Sequence, residues 1–511
     1  MSKISDVEYL KMDEWQRFWY KVGRFFIGIP GAIWKFLCTI GRFFKNAGLA
    51  IGREISDIVM TFVHGDWKTK LSYVFMGFGN IARGQVLRGI LFLLFEAVFI
   101  FYMIVTGGHW LSMLPSLGKV GPDPRGSYNE ELDVYVPSYG DNSFKILLYG
   151  VLTIFFIIAF IYTWRVNVRQ NKIAEEILKT GKPLRSGKQD LQSMVDDNFH
   201  KTLLALPLLG ILVFTVMPIV FMILVAFTSY DGAHDGYINN LFTWVGLQHF
   251  KEMLSWNAGT KSYGATFAEV LVWTLIWSFF ATFSNYFLGM LVAMIINKKG
   301  IKVKKLWRTV LVMTIAIPQF ISLLYVSKMF AKNGLINGML MDLGLIKTAL
   351  PFWEDPEWAR VTVILINIWI GIPYLMLIAT GILMNIPSDL YESAKIDGAN
   401  AFQQYTKITL PYMLFITGPY LLTQFTGNMN NFNVLYLLTG GGPTNAAASA
   451  AAGSVGYTDL LITWLFKITT GAEAQYYFAS VVGIMVFVVV AFISLIVYNA
   501  MPSVKNEEDF Q

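Results

Sequence analysis

Residues 266–296, TFAEVLVWTLIWSFFATFSNYFLGMLVAMII, decide the fold class of this 511-residue chain. Glu269 is the only charged residue in the stretch, which is longer than the roughly 18 apolar residues that a helix needs to cross hydrocarbon. Further apolar runs lie at approximately 88–106, 145–165, 202–228, 306–330, 361–385, 411–437 and 476–500. The chain is therefore predicted to be an all-α polytopic membrane protein with about eight transmembrane helices. The run at 411–437 is the weakest of them, because amides that include Gln424, Asn428, Asn430 and Asn431 interrupt it.

Composition agrees with a membrane protein and argues against several other classes. The chain is 55% hydrophobic and 14% charged, whereas soluble domains carry about a quarter charged residues. The net charge is +6. The basic residues lie beside the apolar runs, where they set the orientation of the chain in the membrane, so they do not indicate binding of nucleic acid. A single cysteine, Cys38, and five scattered histidines predict no disulfide, metal site or redox centre. The charged N-terminus predicts no cleavable signal peptide.

Charges alternate between the apolar runs. Residues 1–87, 165–201 and 298–305 are rich in Lys and Arg, whereas 107–144 has an excess of Asp and Glu. Because basic loops stay in the cytoplasm, both termini and the loop 386–410 are predicted to be cytoplasmic. This arrangement predicts a multi-pass protein of a plasma membrane.

Residues 15–83 mix aromatic and apolar residues with Lys and Arg. This pattern predicts helices lying on the cytoplasmic membrane surface. The alternative is a spanning helix near 25–40, but Gly28, Pro30, Gly31 and Lys35 interrupt it.

The chain lacks the motifs of an ATPase or an ion-coupled carrier. The segment 181–189, GKPLRSGKQ, has one residue too many between its glycines and Gln in place of Ser or Thr, so it is not a phosphate loop. The chain is therefore not expected to hydrolyse ATP by itself. Glu96 is the deepest intramembrane carboxylate. Since no other span offers it a partner for a proton relay, we expect it to be packed or hydrogen-bonded against protein.

Residues 387–411, PSDLYESAKIDGANAFQQYTKITLP, predict a compact helical hairpin between two spans. Ser388 is expected to cap the first helix, and Gly398 to end it in the left-handed conformation. Asn400 and Gln403 form a capping-box pattern for the second helix. Pro411 suits the first turn of the next span.

This hairpin resembles the EAA loop of bacterial ABC importer permeases. The matching residues are Glu392, Ser393, Ala394, Asp397, Gly398, Ala399 and Tyr405, followed by Ile408-Thr-Leu-Pro411. Ser393 and Tyr405 replace an Ala and a Phe of the family pattern. The resemblance implies a type I ABC importer permease fold, in which this loop docks on an ATPase subunit and transmits its closure to the membrane helices.

Other segments resemble the MalF family, the larger permease subunits of maltose and maltodextrin importers. They are 242–250 (FTWVGLQHF), 367–374 (NIWIGIPY), 428–432 (NMNNF), 437–443 (LLTGGGP) and 456–461 (GYTDLL). The third external loop, 229–265, is short, as in the Gram-positive members. In those members the solute-binding protein is an extracellular lipoprotein.

The resemblance also implies a sugar path. Its sugar-contacting positions fall here on Asn367, Trp369, Ile370, Gly371, Tyr374, Gln424, Gly427, Asn428 and Asn431. Gln424 and Gly427 depart from the family example, which has Ser and Phe, so a wider pocket is expected. Amides can both donate to and accept from sugar hydroxyls, and aromatic rings supply platforms for sugar faces. The alternative is that these amides bridge helices within the bundle.

The predicted organisation has five parts. They are an interfacial region 1–87, three spans in 88–228, an external loop 229–265, a permease core 266–500 with the coupling loop 386–411, and a cytoplasmic tail 501–511. The expected partners are a second, MalG-like permease, an ATPase dimer that uses ATP and Mg²⁺, a solute-binding lipoprotein and an oligosaccharide. The chain itself is expected to bind no cofactor or metal. Uptake of raffinose-like or other glucosides is the alternative substrate class, and ion-coupled secondary transport is the alternative mechanism.

Overall fold

A computed structural model describes residues 12–129, 133–235, 240–255, 262–298, 300–448, 453–471 and 473–500. The described chain is mainly helical and divides into two compact units, Met1–Phe221 and Met222–Gln511. In the described part of the first unit, the one sheet is an antiparallel hairpin of β1 (Asp123–Asn129) and β2 (Val134–Ser138). This hairpin was not predicted from the sequence, and it lies in the acidic loop 107–144.

The helices of the first unit are α1 (Glu14–His64), α2 (Trp67–Leu71), α3 (Phe78–Ile81), α4 (Val86–Met113), α5 (Ser143–Lys179), α6 (Gly187–Val195) and α7 (Phe199–Val225), the last of which continues into the second unit. Single π-helical turns lie inside α4 at Met103–Gly107 and inside α7 at Leu212–Val216.

The helices of the second unit are α8 (Gln248–Leu254), α9 (Tyr263–Asn297), α10 (Lys304–Ala316), α11 (Gln319–Met329), α12 (Leu335–Asp342), α13 (Pro356–Leu383), α14 (Ser388–Ile396), α15 (Ala401–Gln404), α16 (Leu410–Met429), α17 (Phe432–Thr439), α18 (Leu461–Thr470) and α19 (Tyr476–Ala500). A π-helical turn, Tyr405–Thr409, joins α15 to α16.

Six helices in the described chain are long and apolar enough to cross a membrane: α4, α5, α7, α9, α13 and α19. The pair α10 and α11 makes a seventh if it is counted as one bent span. The predicted segment 411–437 is helical, but it is divided at Asn430 and Asn431 and is not among the six. The count of eight spans therefore stays a prediction.

The apolar run 306–330, predicted as a span, is not one straight helix. α10 and α11 meet at an angle of 91°, and Ile317 between them has extended backbone angles. Pro318 follows it, lacks a backbone N–H and disfavours the helical region for the residue before it. A proline thus turns one apolar run into two helices.

Helices fill most of the region 15–83, as predicted, and one long helix takes up the larger part of it. The single helix α1 runs through Gly28 and Pro30 without a break. Proline has a fixed φ that is compatible with a helix, so its cost is one lost hydrogen bond and a local kink. Asp13 begins α1 with a capping box that includes Gln16. α1 is not among the helices that meet the length and hydropathy of a span.

A buried polar cluster joins the segment after α1 to the spans α4 and α5. Arg83, whose side chain is 1% exposed, pairs with Asp66 at 2.6 Å and donates to Asn171 of α5 at 2.8 Å. Burial acts to raise the pKa of Asp66, but hydrogen bonds from Thr69 and the charge of Arg83 hold that pKa below its usual value. Glu175 of α5 accepts from the Thr69 hydroxyl at 2.9 Å. We call the segment between α1 and α4, residues 65–85, the elbow.

Glu96 of α4 belongs to the same region. It is buried and accepts a hydrogen bond from the backbone N–H of Met76 at 2.8 Å. The expectation of a hydrogen-bonded carboxylate packed against protein is confirmed for this residue.

The core of the second unit forms around α9. Trp273, Trp277 and Ala281 pack against buried side chains of α11, α13 and α17, and Tyr286 and Met290 pack against those of α13 and α16. The Trp277 indole donates to the backbone oxygen of Asn428 at 3.1 Å. This packing brings the predicted path segments of α13 and α16 to the same side of α9.

Candidate substrate path and coupling loop

A cavity of about 520 Å³ lies within the second unit. It is bounded by α9, the α10–α11 bend, α13 and α16. Seven of the nine predicted path residues line it: Asn367, Trp369, Ile370, Gly371, Tyr374, Gln424 and Asn428. Two regions far apart in sequence, 367–374 and 424–428, are thus brought to one cavity by helix packing.

α13 supplies the largest share of these residues. Its start is fixed by Asp355, whose carboxylate accepts from the N–H groups of Glu357 and Trp358, and by Pro356 in the first turn. Asn367 is buried, and its Nδ2 has no hydrogen-bond partner among the described residues. Trp369 and Tyr374 are 55% and 51% exposed. Within about two turns, the helix therefore presents an amide donor without a described partner and two exposed aromatic side chains.

Asn285 of α9 is a lining residue that the sequence reasoning missed. It is buried, its Nδ2 donates to Ala281 O at 2.7 Å, and its Oδ1 has no partner in the described part of the chain. Gly371 lies against it, since a Cβ at that glycine would be 2.4 Å from Asn285 Nδ2. An amide in the middle of an otherwise apolar span was the signal that could have found this residue. Thr282, Gln319 and Ser322 also line the cavity and were missed.

Gly427 and Asn431 are not among the lining residues. Gly427 is exposed, with nothing within 4 Å of the position a Cβ would occupy. Asn431 begins α17, where its Oδ1 accepts from Val434 N, and its Nδ2 donates to Asn428 Oδ1, both at 3.3 Å. Asn428 in turn donates to Thr282 Oγ1 at 3.0 Å. Asn428 thus both lines the cavity and bridges two helices, and Asn431 positions it.

The cavity combines two chemistries. Amide and hydroxyl groups can donate and accept hydrogen bonds, and the open aromatic rings offer flat apolar surfaces. Within the described residues no cluster of His, Cys, Asp or Glu could hold a metal ion. The arrangement suits a neutral polar ligand with apolar faces rather than an ion.

The loop 386–411 folds as two short helices, with three of its four predicted signals as expected. Gly398 has φ +82°, in the left-handed region that favours glycine. Asn400 and Gln403 form a capping box, and Pro411 lies in the first turn of α16. The expected cap at Ser388 is wrong, because Pro387 holds the N-cap position and makes no side-chain cap bond. Ser388 Oγ instead donates to Asp389 at 3.3 Å.

The EAA-loop residues surround an exposed tip. Glu392, Ser393, Asp397 and Gly398 are exposed, and Ala394, Ala399 and Tyr405 are partly buried. Two large apolar side chains that the motif did not single out, Ile396 and Phe402, are 87% and 73% exposed. Tyr391 ties the base of the loop to the following helix through a 2.9 Å hydrogen bond with Thr409. The loop therefore presents apolar and acidic groups on a fixed base.

Comparison with known proteins defines the class. Residues 285–505 match the family model described as "Binding-protein-dependent transport system inner membrane component". The maltodextrin transport system permease protein MdxF of Bacillus subtilis is 33% identical over 451 residues, which cover 86% of this chain and 97% of that protein. The galactooligosaccharides transport system permease protein GanP of the same organism is 33% identical over 436 residues, which cover 84% and 96%.

The maltose/maltodextrin permease MalF of Escherichia coli is 34% identical over 233 residues, 45% of this chain and 44% of that protein. A solved bacterial ABC transporter involved in alginate import is 21% identical, with a TM-score of 0.47 over 61% of this chain and 98% of that chain. The chain belongs to the MalF-like permease subunits of ABC importers. These relatives are transport subunits, and the chain is accordingly a multi-pass transport protein rather than an enzyme.

Proposed function

We propose that this permease forms half of the path through which an ABC importer takes up maltodextrins. The observation that carries the proposal is the cavity, which gathers Asn367, Trp369, Tyr374 and Gln424 from two helices. Its volume lies within the range of roughly 300–1,000 Å³ that is usual for small-ligand sites. The lining of amides and open aromatic rings suits sugar hydroxyls and ring faces.

A second permease, MalG-like, would face this one and close the path. The open side chains of Trp369 and Tyr374 support this, because large aromatic groups in a translocation path need a partner or a substrate to cover them. The sites of such transporters lie near the midplane, between bundles that rock around them.

The coupling loop is proposed to dock on one subunit of an ATPase dimer, which would bind ATP and Mg²⁺. Its exposed Ile396 and Phe402 would supply the apolar centre of the contact, and Glu392 and Asp397 its charged rim. ATP-driven closure of the dimer would move the loop and, through the continuous run from α15 to α16, the lining of the cavity.

Outside the cell a solute-binding lipoprotein would deliver the sugar. A tether keeps such a protein at high local concentration near the permease. Both termini and the coupling loop would lie in the cytoplasm, as the distribution of basic residues indicates.

Galacto-oligosaccharide uptake is the second candidate, since GanP is as similar to this chain as MdxF is. The test is ATPase activity of the assembled four-part complex in lipid, with binding protein loaded with either sugar. Stimulation by the maltodextrin-loaded binding protein supports the proposal. Stimulation only by the binding protein loaded with galacto-oligosaccharide would assign that sugar as the substrate and leave the proposed mechanism unchanged.

The same assay tests the coupling loop. Gly398→Val puts a β-branched side chain where φ is +82° and is expected to abolish the stimulation, whereas Gly398→Asn, a residue that visits this conformation, should retain more of it. Equal stimulation in all three proteins, or failure of any ATPase to bind the chain, would refute the coupling role.

A further inference from the structure

The helix α1 contains a sequence repeat. Gly-Arg-Phe-Phe occurs at 23–26 and again at 41–44, and Ala-Ile-x-Lys at 32–35 is followed by Ala-Ile-x-Arg at 50–53. Both pairs are separated by 18 residues, which is five turns of an α-helix. Because α1 is one uninterrupted helix, repeated positions return to the same angle around its axis.

The repeat places basic residues in a row. Positions 17, 24, 35, 42 and 53 are all Arg or Lys, and their spacings alternate between 7 and 11 residues. A step of 7 falls about 20° short of two full turns, so the five positions stay within a narrow strip. At 1.5 Å per residue the strip is about 54 Å long.

On the opposite side of α1, the described side chains of residues 44–62 are apolar and exposed. Phe44, Ile51, Ile55, Val59 and Phe62 fall on one stripe of the helix, and Phe44 and Ile51 are 68% and 60% exposed. Trp34 and Phe43 extend this surface on its two sides. The apolar arc is therefore wider than the basic strip.

The acidic residues near the end of α1 form ion pairs within the first unit. Glu54 pairs with Arg165 and Asp57 with Lys172, both on α5. In the described part of the chain, Lys45 and Arg53 make no ion pair. Arg42 and Arg53, the strip residues whose side chains are described, therefore keep their charge unpaired by any described acidic group.

We propose that α1 lies in the headgroup layer of the membrane and binds anionic lipids along its basic strip. A helix with a wide apolar arc sinks until its polar strip is level with the headgroups, which places the cations beside lipid phosphates. Basic residues every two to three turns oppose insertion across the hydrocarbon. An anionic leaflet matches both the charge of the strip and the apolar face below it.

The elbow supports this placement. Trp164 of α5 donates to Tyr73 O at 3.0 Å, and Glu96 of α4 accepts from Met76 N at 2.8 Å. Both partners belong to candidate spans, so the end of α1 is fixed to helices that the bilayer itself positions. The inference does not depend on the transported sugar.

The test uses spin labels on the full-length chain in its assembled complex. Cys38 is the only cysteine and is exposed, so Cys38→Ala gives a clean background. Nitroxides are placed at Ile51→Cys on the apolar stripe and at Asn46→Cys on the polar strip. Collision rates with oxygen and with a water-soluble nickel complex are measured in nanodiscs of phosphatidylcholine, with or without about one third phosphatidylglycerol.

The label at 51 is expected to collide preferentially with oxygen, at a depth of about 5–10 Å, and the label at 46 with nickel. Phosphatidylglycerol should deepen the label at 51, and Arg42→Gln/Arg53→Gln should cancel that deepening. The matched control Lys332→Gln/Lys347→Gln removes two exposed charges from the second unit and should change nothing.

Water exposure at 51 would overturn the proposal. Protection of that label from both reagents would also overturn it, because this indicates burial against protein. A depth that is the same in both lipids, or that is insensitive to the arginine changes, would overturn the recognition of anionic lipid.

Discussion

Asn367 and Asn428 line the same cavity but differ in what they do for the fold. Asn367 Nδ2 has no hydrogen-bond partner among the described residues, whereas Asn428 links α16 to α9 and to Asn431. A buried polar group without a partner costs about 1–3 kcal/mol. We infer that Asn367 is kept for a ligand and Asn428 for both ligand and structure.

Asn367→Leu is therefore expected to leave thermal stability unchanged or slightly higher. It should lower transport at limiting sugar by about three- to tenfold, the equivalent of one lost hydrogen bond. Uptake of labelled maltodextrin and the melting temperature of the purified complex measure the two effects.

The matched variant Asn428→Leu should instead lower the free energy of unfolding by about 1–3 kcal/mol, because it leaves Thr282 and Asn431 without their partner. A large loss of stability in Asn367→Leu, with sugar uptake intact, would contradict the assignment of this amide to the path.

At the scale of elements, the bend between α10 and α11 shapes the cavity, which Ile315, Ile317 and Gln319 line. α11 is anchored, since Ser327 donates to Leu438 O at 2.6 Å and Leu323 and Val326 are buried. α10 has no buried residues. The bend therefore joins a fixed helix to a loosely packed one.

Pro318→Ala is expected to relax the bend by moving α10. In the Cys38→Ala background, spin labels at Trp307 and Tyr325, both exposed, report the change by pulsed dipolar spectroscopy. The separation should lengthen from roughly 19 Å for the 91° bend toward about 27 Å for a straight helix.

Pro419→Ala, a proline inside α16, serves as the control and should leave the distance unchanged. An unchanged distance in Pro318→Ala would show that packing, and not the proline, holds the bend.

At the scale of the whole molecule, each unit has its own interior, and that of the first unit is polar at the elbow. Arg83 lies at the centre of the polar cluster in the elbow. Its guanidinium pairs with the Asp66 carboxylate and lies 3.9 Å from the Glu175 carboxylate. Arg83 is buried, whereas the Asp66 side chain is 37% exposed and can be solvated by water, so the main loss on removing Arg83 falls on its buried hydrogen-bond partners.

Arg83→Met should lower the free energy of unfolding by about 1–3 kcal/mol, because it leaves Asn171 and Thr69 without a donor. The measurement is the temperature at which the purified chain loses its monodisperse elution peak after heating. Lys347→Met, an exposed cation of the second unit, should behave as the unchanged protein. Similar melting of both variants would show that the elbow does not limit stability.

The sequence determined the features that depend on solvent and on local backbone chemistry. Apolar runs predicted α9 and α13 as spans, because a bilayer requires long apolar helices. The left-handed Gly398 and the Asn400 capping box followed from single residue types. The path residues on α13 and α16 followed from resemblance, and their helical placement needed no knowledge of packing.

Only the tertiary structure decided which of these residues share a cavity. Gly427 and Asn431 fall on sugar-contacting positions of the family, yet helix geometry turns the first outward and gives the second a capping role. Asn285, Ile396 and Phe402 became visible as site residues only when neighbouring helices showed which atoms stay unpaired or uncovered. Periodicity fixes a face of one helix, whereas the partner of that face depends on contacts between residues distant in sequence.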